Sequence, residues 1–104
     1  MFEKFLSDSK FPVGQVVMTC GISEACANNE TMAQHVLAAM RRHASGDWGD
    51  MCDEDKQANE AGLDAEHPGR LFSSYSGDAK GTKKVWVITE YDRSVTTVLF
   101  PDEY

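Results

Sequence analysis

The sequence predicts a single small α+β domain: an antiparallel β-meander sheet packed by one main helix and a shorter acidic helix. Helical apolar periodicity is strongest over residues 30–43, and after residue 70 three short β-branched or aromatic segments follow one another across turn residues. A chain of 104 residues with 41% hydrophobic content also suffices for one core without disulfides or a structural metal.

Met1 to Lys10 places Phe2, Phe5 and Leu6 at helical spacing, which predicts a short amphipathic helix ended by Pro12. Val13 to Thr19 is short and β-branched and reads as a strand, broken by Gly21. Ile22 to Ala27 has room for one helical turn before Asn28-Asn29. The main helix, Glu30 to His43, carries a capping-box spacing at Thr31 and Gln34 and an apolar stripe at Ala33, Val36, Leu37 and Met40. Arg41, Arg42 and His43 sit in its last turn, where positive charge offsets the helix dipole, and Gly46 stops it. Asp53 is the expected N-cap of the acidic helix, which runs to about Gly62. After the His67-Pro68-Gly69 turn come strands at Arg70–Ser76, Lys83–Tyr91 and Val95–Phe100, the last two joined by a tight turn at Asp92-Arg93-Ser94. In the middle strand Val85 and Val87 alternate with Trp86 and Ile88, so both faces are apolar and the strand is expected to be central, with cover on each side.

Composition excludes several classes. No apolar run approaches the ~20 residues of a bilayer span, and Met1 to Lys10 lacks the pattern of a signal peptide, so a cytoplasmic protein without membrane partners is expected. Cys20, Cys26 and Cys52 have neither zinc-knuckle nor redox-dithiol spacing; they read as reduced thiols, Cys20 and Cys26 as small buried hydrophobes, and no metal or cofactor is expected. The basic pairs Arg41-Arg42 and Lys83-Lys84 are too few to track phosphates, which argues against direct nucleic-acid binding. Trp48, Trp86, Tyr75, Tyr91 and Tyr104 read mostly as core rather than as a base-stacking platform.

The net charge of −7 has one origin. Asp47 to Glu66 holds eight acids against Lys56 alone, while the other 84 residues carry nine acids and nine bases. Charge gathered this way creates a directional field that acts on association and solubility rather than on fold. A solvated acidic helix is the plain reading; a docking face for a positive partner is the functional one.

Two clusters could carry chemistry. His43, Asp47 and Asp50 have the residue types of a general base or metal site, yet at a helix end the simpler account has His43 capping carbonyls, Gly46 and Gly49 permitting turns, and Trp48 plugging the core. Arg93, in the turn after Glu90, could clamp an anion through its fork, although an internal ion pair is the more economical use in an acidic domain. No nucleophile elbow frames Ser45, Ser73 or Ser74, and Gly77, Lys80 and Gly81 lack phosphate-loop spacing.

Four blocks give the chain a family likeness: Phe11-Pro12-Val13-Gly14-Gln15-Val16-Val17, His43-Ala44-Ser45-Gly46-Asp47-Trp48-Gly49-Asp50, Asp55-Lys56-Gln57-Ala58-Asn59-Glu60, and the run from Trp86 to Pro101. It resembles a group of small bacterial proteins known as plasmid-related or uncharacterised and found on mobile elements, with departures at Tyr91 and through Cys20 to Glu30. The resemblance implies a mobile-element setting and supplies no activity.

The combined expectation is a non-enzymatic binding protein that occupies a basic surface of a host protein or nucleoprotein complex, as an anti-restriction or anti-CRISPR inhibitor would. Asp47, Asp50, Asp53, Glu54, Asp55 and Glu60 would imitate a line of phosphates, and Trp48, Asn59 and Arg93 complete the expected binding set. The alternative is a small enzyme or ligand-binding domain in which His43, Asp47, Asn59, Glu60 and Arg93 converge on a pocket, with His43 as base and Arg93 as anion clamp.

Overall fold

A computed structural model describes residues 9–77 and 80–104. In chain order these form β1 (Gln15–Met18), α1 (Cys20–Asn28), α2 (Glu30–Ala44), α3 (Asp53–Gly62), β2 (Leu71–Tyr75), β3 (Val85–Thr89), β4 (Val95–Leu99) and a 3₁₀ turn at Pro101–Glu103. The helix expected over Met1 to Lys10 lies outside the described residues except for Ser9 and Lys10.

The fold is α+β, with one four-stranded sheet in the order β1-β4-β3-β2. The β2-β3-β4 meander is antiparallel, but β1 runs parallel to β4, so the sheet is mixed rather than purely antiparallel. The helical crossover after β1 brings the chain back in the original direction, and two reversals return β4 to that direction beside β1. Val85 and Val87 face the helices together with Tyr75 and Val98, and Ile22, Met32, Val36, Ala39 and Met40 close the core from α1 and α2.

Local chemistry explains the helix ends. Thr19 Oγ1 accepts from Ile22 N, and this cap extends the expected single turn into a nine-residue helix that buries Ile22 completely. Asn29, not a Thr31–Gln34 box, caps α2, its Oδ1 accepting from Thr31 N and Met32 N. The buried stripe of α2 is Met32, Val36, Ala39, Met40 and His43, whereas Ala33 and Leu37 are only partly covered. At the other end Gly46 N donates to His43 O and Asp47 N to Arg42 O, a Schellman arrangement with Gly46 at φ 86°. Backbone groups therefore cap this end, and His43 turns away from it. Cys52 rather than Asp53 is the N-cap of α3 and makes no side-chain cap bond; Asp53, Glu54 and Asp55 in the first turn face the positive end of the dipole instead. Cys20 and Cys52 are exposed and only Cys26 packs against the core, so Cys20 is not the buried hydrophobe expected.

The two sheet faces differ. β3 is internal and covered on both faces as expected, Val87 being fully buried on the helix side and Ile88 and Leu99 only 3% and 5% exposed on the other, but Trp86 on that second face is only partly buried and stays outside the helix-side core. Trp86 instead meets Phe72 at 4.8 Å and Tyr104 at 5.8 Å between ring centroids. The β2 edge is closed. Gly49 bridges Ser74, Asp50 N donates to Ser74 O, and Asn59 pairs with Phe72 through Nδ2 to O at 2.7 Å and N to Oδ1 at 3.1 Å. A Cβ on Gly49 would stand 2.0 Å from Ser74 O, so only glycine permits that approach.

Candidate functional site

The polar residues that look like chemistry in the sequence are mostly engaged inside the fold. His43 is 1% exposed, with Nδ1 against Ser73 Oγ at 2.5 Å and Nε2 against Thr89 Oγ1 at 2.9 Å. The chain continues from Thr89 Oγ1 to Thr96 Oγ1 at 2.7 Å, and Thr96 donates to Val13 O. Each member satisfies another, and the Phe11 and Trp48 rings pack edge-on to the imidazole. Burial first, and then the charge of Arg93, lowers the His43 pKa to about 3. A neutral imidazole with both nitrogens occupied and no solvent contact is a structural link between α2 and the sheet.

Trp48 is equally internal. Its ring lies near-parallel to Phe11 at 6.3 Å and its Nε1 donates to Glu60 Oε2 at 2.7 Å, joining the Gly46–Gly49 loop to α3. Asp47 pairs with Arg42 at 2.7 Å and also accepts from Gly49 N; the Arg42 guanidinium holds its carboxyl below the usual range. Asp50 Oδ2 accepts from both Ser76 Oγ and Ser76 N, which lowers its pKa as well.

Arg93 meets backbone carbonyls rather than an acid. Its Nη2 donates to Gly62 O at 2.6 Å, and its Nη1 to Gly69 O at 2.6 Å and Glu90 O at 3.2 Å. The fork thus ties the C-terminal end of α3 to the β3–β4 turn, where Arg93 itself holds a positive φ of 59°. Arg93→Ala is expected to cost about 2–3 kcal/mol in urea unfolding, because charged donors leave three buried or half-buried carbonyls. Arg93→Lys should recover only part of this, since one ammonium cannot span the fork. A loss below about 0.5 kcal/mol in both variants would show that the carbonyls find other partners.

Sorting the acids of residues 47–66 by partner isolates an outward group. Asp47, Asp50 and Glu60 hold other parts of the fold, Asp64 accepts from Glu66 N and faces His67 at 3.4 Å, and Glu66 is exposed in the turn beyond the helix. Asp53, Glu54 and Asp55 stand exposed and consecutive on the first turn of α3. Beside them, between α3 and the outer sheet face, opens a cleft of about 530 Å³. The sheet contributes Phe72, Ser74 and Trp86, α3 contributes Asp55, Ala58 and Asn59, and Asp50, Met51, Arg70 and Lys84 complete the lining. Three residues of the sequence-predicted set, Asp50, Asp55 and Asn59, therefore share one concave site, whereas His43, Glu60 and Arg93 surround the Phe11–Trp48 cluster with their polar atoms bonded within the fold, and Asp47 pairs with Arg42 at the surface.

The aromatic part of the cleft was missed in the sequence. Its signal was the alternation of Phe72 with Leu71 and Ser73 and of Trp86 with Val85 and Val87, which sets both large rings on the face opposite the main helix. No family model matches the chain, and no curated protein or solved structure matches it.

Proposed function

We propose that the protein acts by binding, and that α3 is its docking helix for a basic surface of a host protein or nucleoprotein complex. The observation that carries this reading is the exposed run Asp53, Glu54 and Asp55, three carboxylates that, among the described residues, serve only the helix dipole. A nucleic-acid-handling or defence complex is a partner class whose surface receives closely spaced negative charge, and inhibition of the anti-restriction or anti-CRISPR kind is the activity proposed for it. The mimic is smaller than the six acids suggest: Asp47 and Glu60 serve Arg42 and Trp48. The base and anion clamp of the enzyme alternative are engaged elsewhere: both His43 nitrogens meet Ser73 and Thr89, the Arg93 fork donates to backbone carbonyls, and Asp47 pairs with Arg42.

The test is capture from a bacterial lysate on immobilised protein, with stepwise salt elution, comparing the native chain with the variant Asp53→Asn/Glu54→Gln/Asp55→Asn. Glu60 stays intact because it holds Trp48. The native protein should retain a partner at low salt and release it as salt rises, and the triple variant should retain little of it. Equal retention by the two proteins would remove α3 as the docking helix.

A further inference from the structure

We propose that the cleft between α3 and the outer face of β2 and β3 seats one arginine side chain of the basic partner, its guanidinium against Trp86 and between Asp50 and Asp55. This rests on the docking role of α3 and assigns the partner residue that the site reads. Trp86 is a half-buried indole lining the cleft, and indole is the strongest of the aromatic cation acceptors. Asp55 stands exposed on the α3 side, and among the described residues both hydrogen bonds of Asp50 go to Oδ2, which leaves Oδ1 for a ligand. Met51 and Ala58 supply apolar surface for the methylene stem.

The lining also holds two cations. Arg70 is compensated: Nη1 donates to Tyr104 OH at 2.7 Å, Nε faces Glu90 at 3.5 Å, and the guanidinium lies 5.4 Å from the Tyr104 ring centroid. The fold makes a second pairing of this kind with Arg42 over Tyr75 at 4.8 Å. Lys84 is exposed at the rim and, like Arg42, acts on Asp50, so the negative field at the cleft comes chiefly from Asp55 with Asp53 and Glu54 on the same helix turn. Asn59 is occupied with the Phe72 backbone, so it stiffens the wall and adds no contact. The cleft is open, which suits a side chain presented by a macromolecule better than a free small molecule that must be nearly engulfed.

The experiment titrates N-acetyl-argininamide into ¹⁵N-labelled protein and follows the two indole Nε1–H resonances, assigned with Trp86→Phe. The Trp86 resonance should shift saturably, and Trp48, whose Nε1 is held by Glu60, should not. Asp55→Asn should weaken binding about fivefold, N-acetyl-lysinamide should bind about two- to threefold more weakly, and Lys84→Gln should tighten binding about twofold. A silent Trp86 resonance, or weaker binding in Lys84→Gln, would overturn the proposal, the latter pointing to an anionic occupant. The two readings fail separately. Salt-dependent capture that needs Asp53 and Glu54, with Trp86 silent, overturns the arginine site and leaves the docking helix standing. A responsive Trp86 with capture indifferent to Asp53→Asn/Glu54→Gln leaves the arginine site and removes the docking helix.

Discussion

Replacing His43 with alanine is expected to cost about 3–5 kcal/mol, from a lost buried ring and from Ser73 and Thr89 left without their shared partner. The same residue predicts how stability varies with pH. Because folding lowers the His43 pKa from about 6.5 to about 3, the unfolded chain binds the additional proton throughout that interval, so stability is fully present above pH 6.5 and is lost as pH falls. Between pH 7 and pH 5 the loss should be about 2 kcal/mol in urea unfolding. The lowered carboxyls of Asp47, Asp50, Asp92 and Glu103 add their losses at lower pH, through and below the ordinary carboxylate range. His43→Gln, which does not titrate, should flatten the curve between pH 7 and pH 5. A native protein equally stable at both values would mean that His43 is not neutral and buried in solution.

Trp48→Ala is the second large loss. Removing the indole empties the space between Phe11 and Leu71 and frees the Glu60 carboxylate, for about 3–5 kcal/mol, or a melting point lower by more than about 12 °C. Trp48→Phe should keep most of the packing and lose about 1 kcal/mol with the Glu60 bond. The damage should also reach the sheet, because the segment after Trp48 pairs with Ser74 along the β2 edge. Hydrogen exchange at Ser74 N, which donates to Trp48 O, reports that opening directly. A Trp48→Ala variant that melts with the native protein would contradict the burial.

The meander was legible because its turns and β-branched runs are local signals, and α2 because its periodicity is long. Three features depended on distant partners. The parallel β1–β4 pairing joins residues from opposite ends of the chain, and nothing within Val13 to Thr19 encodes which strand it meets. His43 could be placed at the end of α2, but its role depends on Ser73 and Thr89, two strand residues with no local sign of pairing with it. Arg93 was read as seeking an acid because acids are abundant, yet the carbonyls of Gly62 and Gly69 are closer in the fold. Among the acids, composition could locate the charge but could not separate Glu60, which holds Trp48, from Asp53, Glu54 and Asp55, which among the described residues hold nothing beyond their own helix.

In the proposed function recognition falls to those three carboxylates, whereas His43, Trp48 and Arg93 hold the fold together. The most direct measurement is the dissociation constant of the purified captured partner, taken from about 50 to 500 mM salt, for the native chain and for Asp53→Asn/Glu54→Gln/Asp55→Asn. At low salt the variant should bind about tenfold more weakly with an unchanged unfolding transition, and its affinity should vary less with salt than that of the native protein. Native affinity in the variant at every salt concentration would contradict the account.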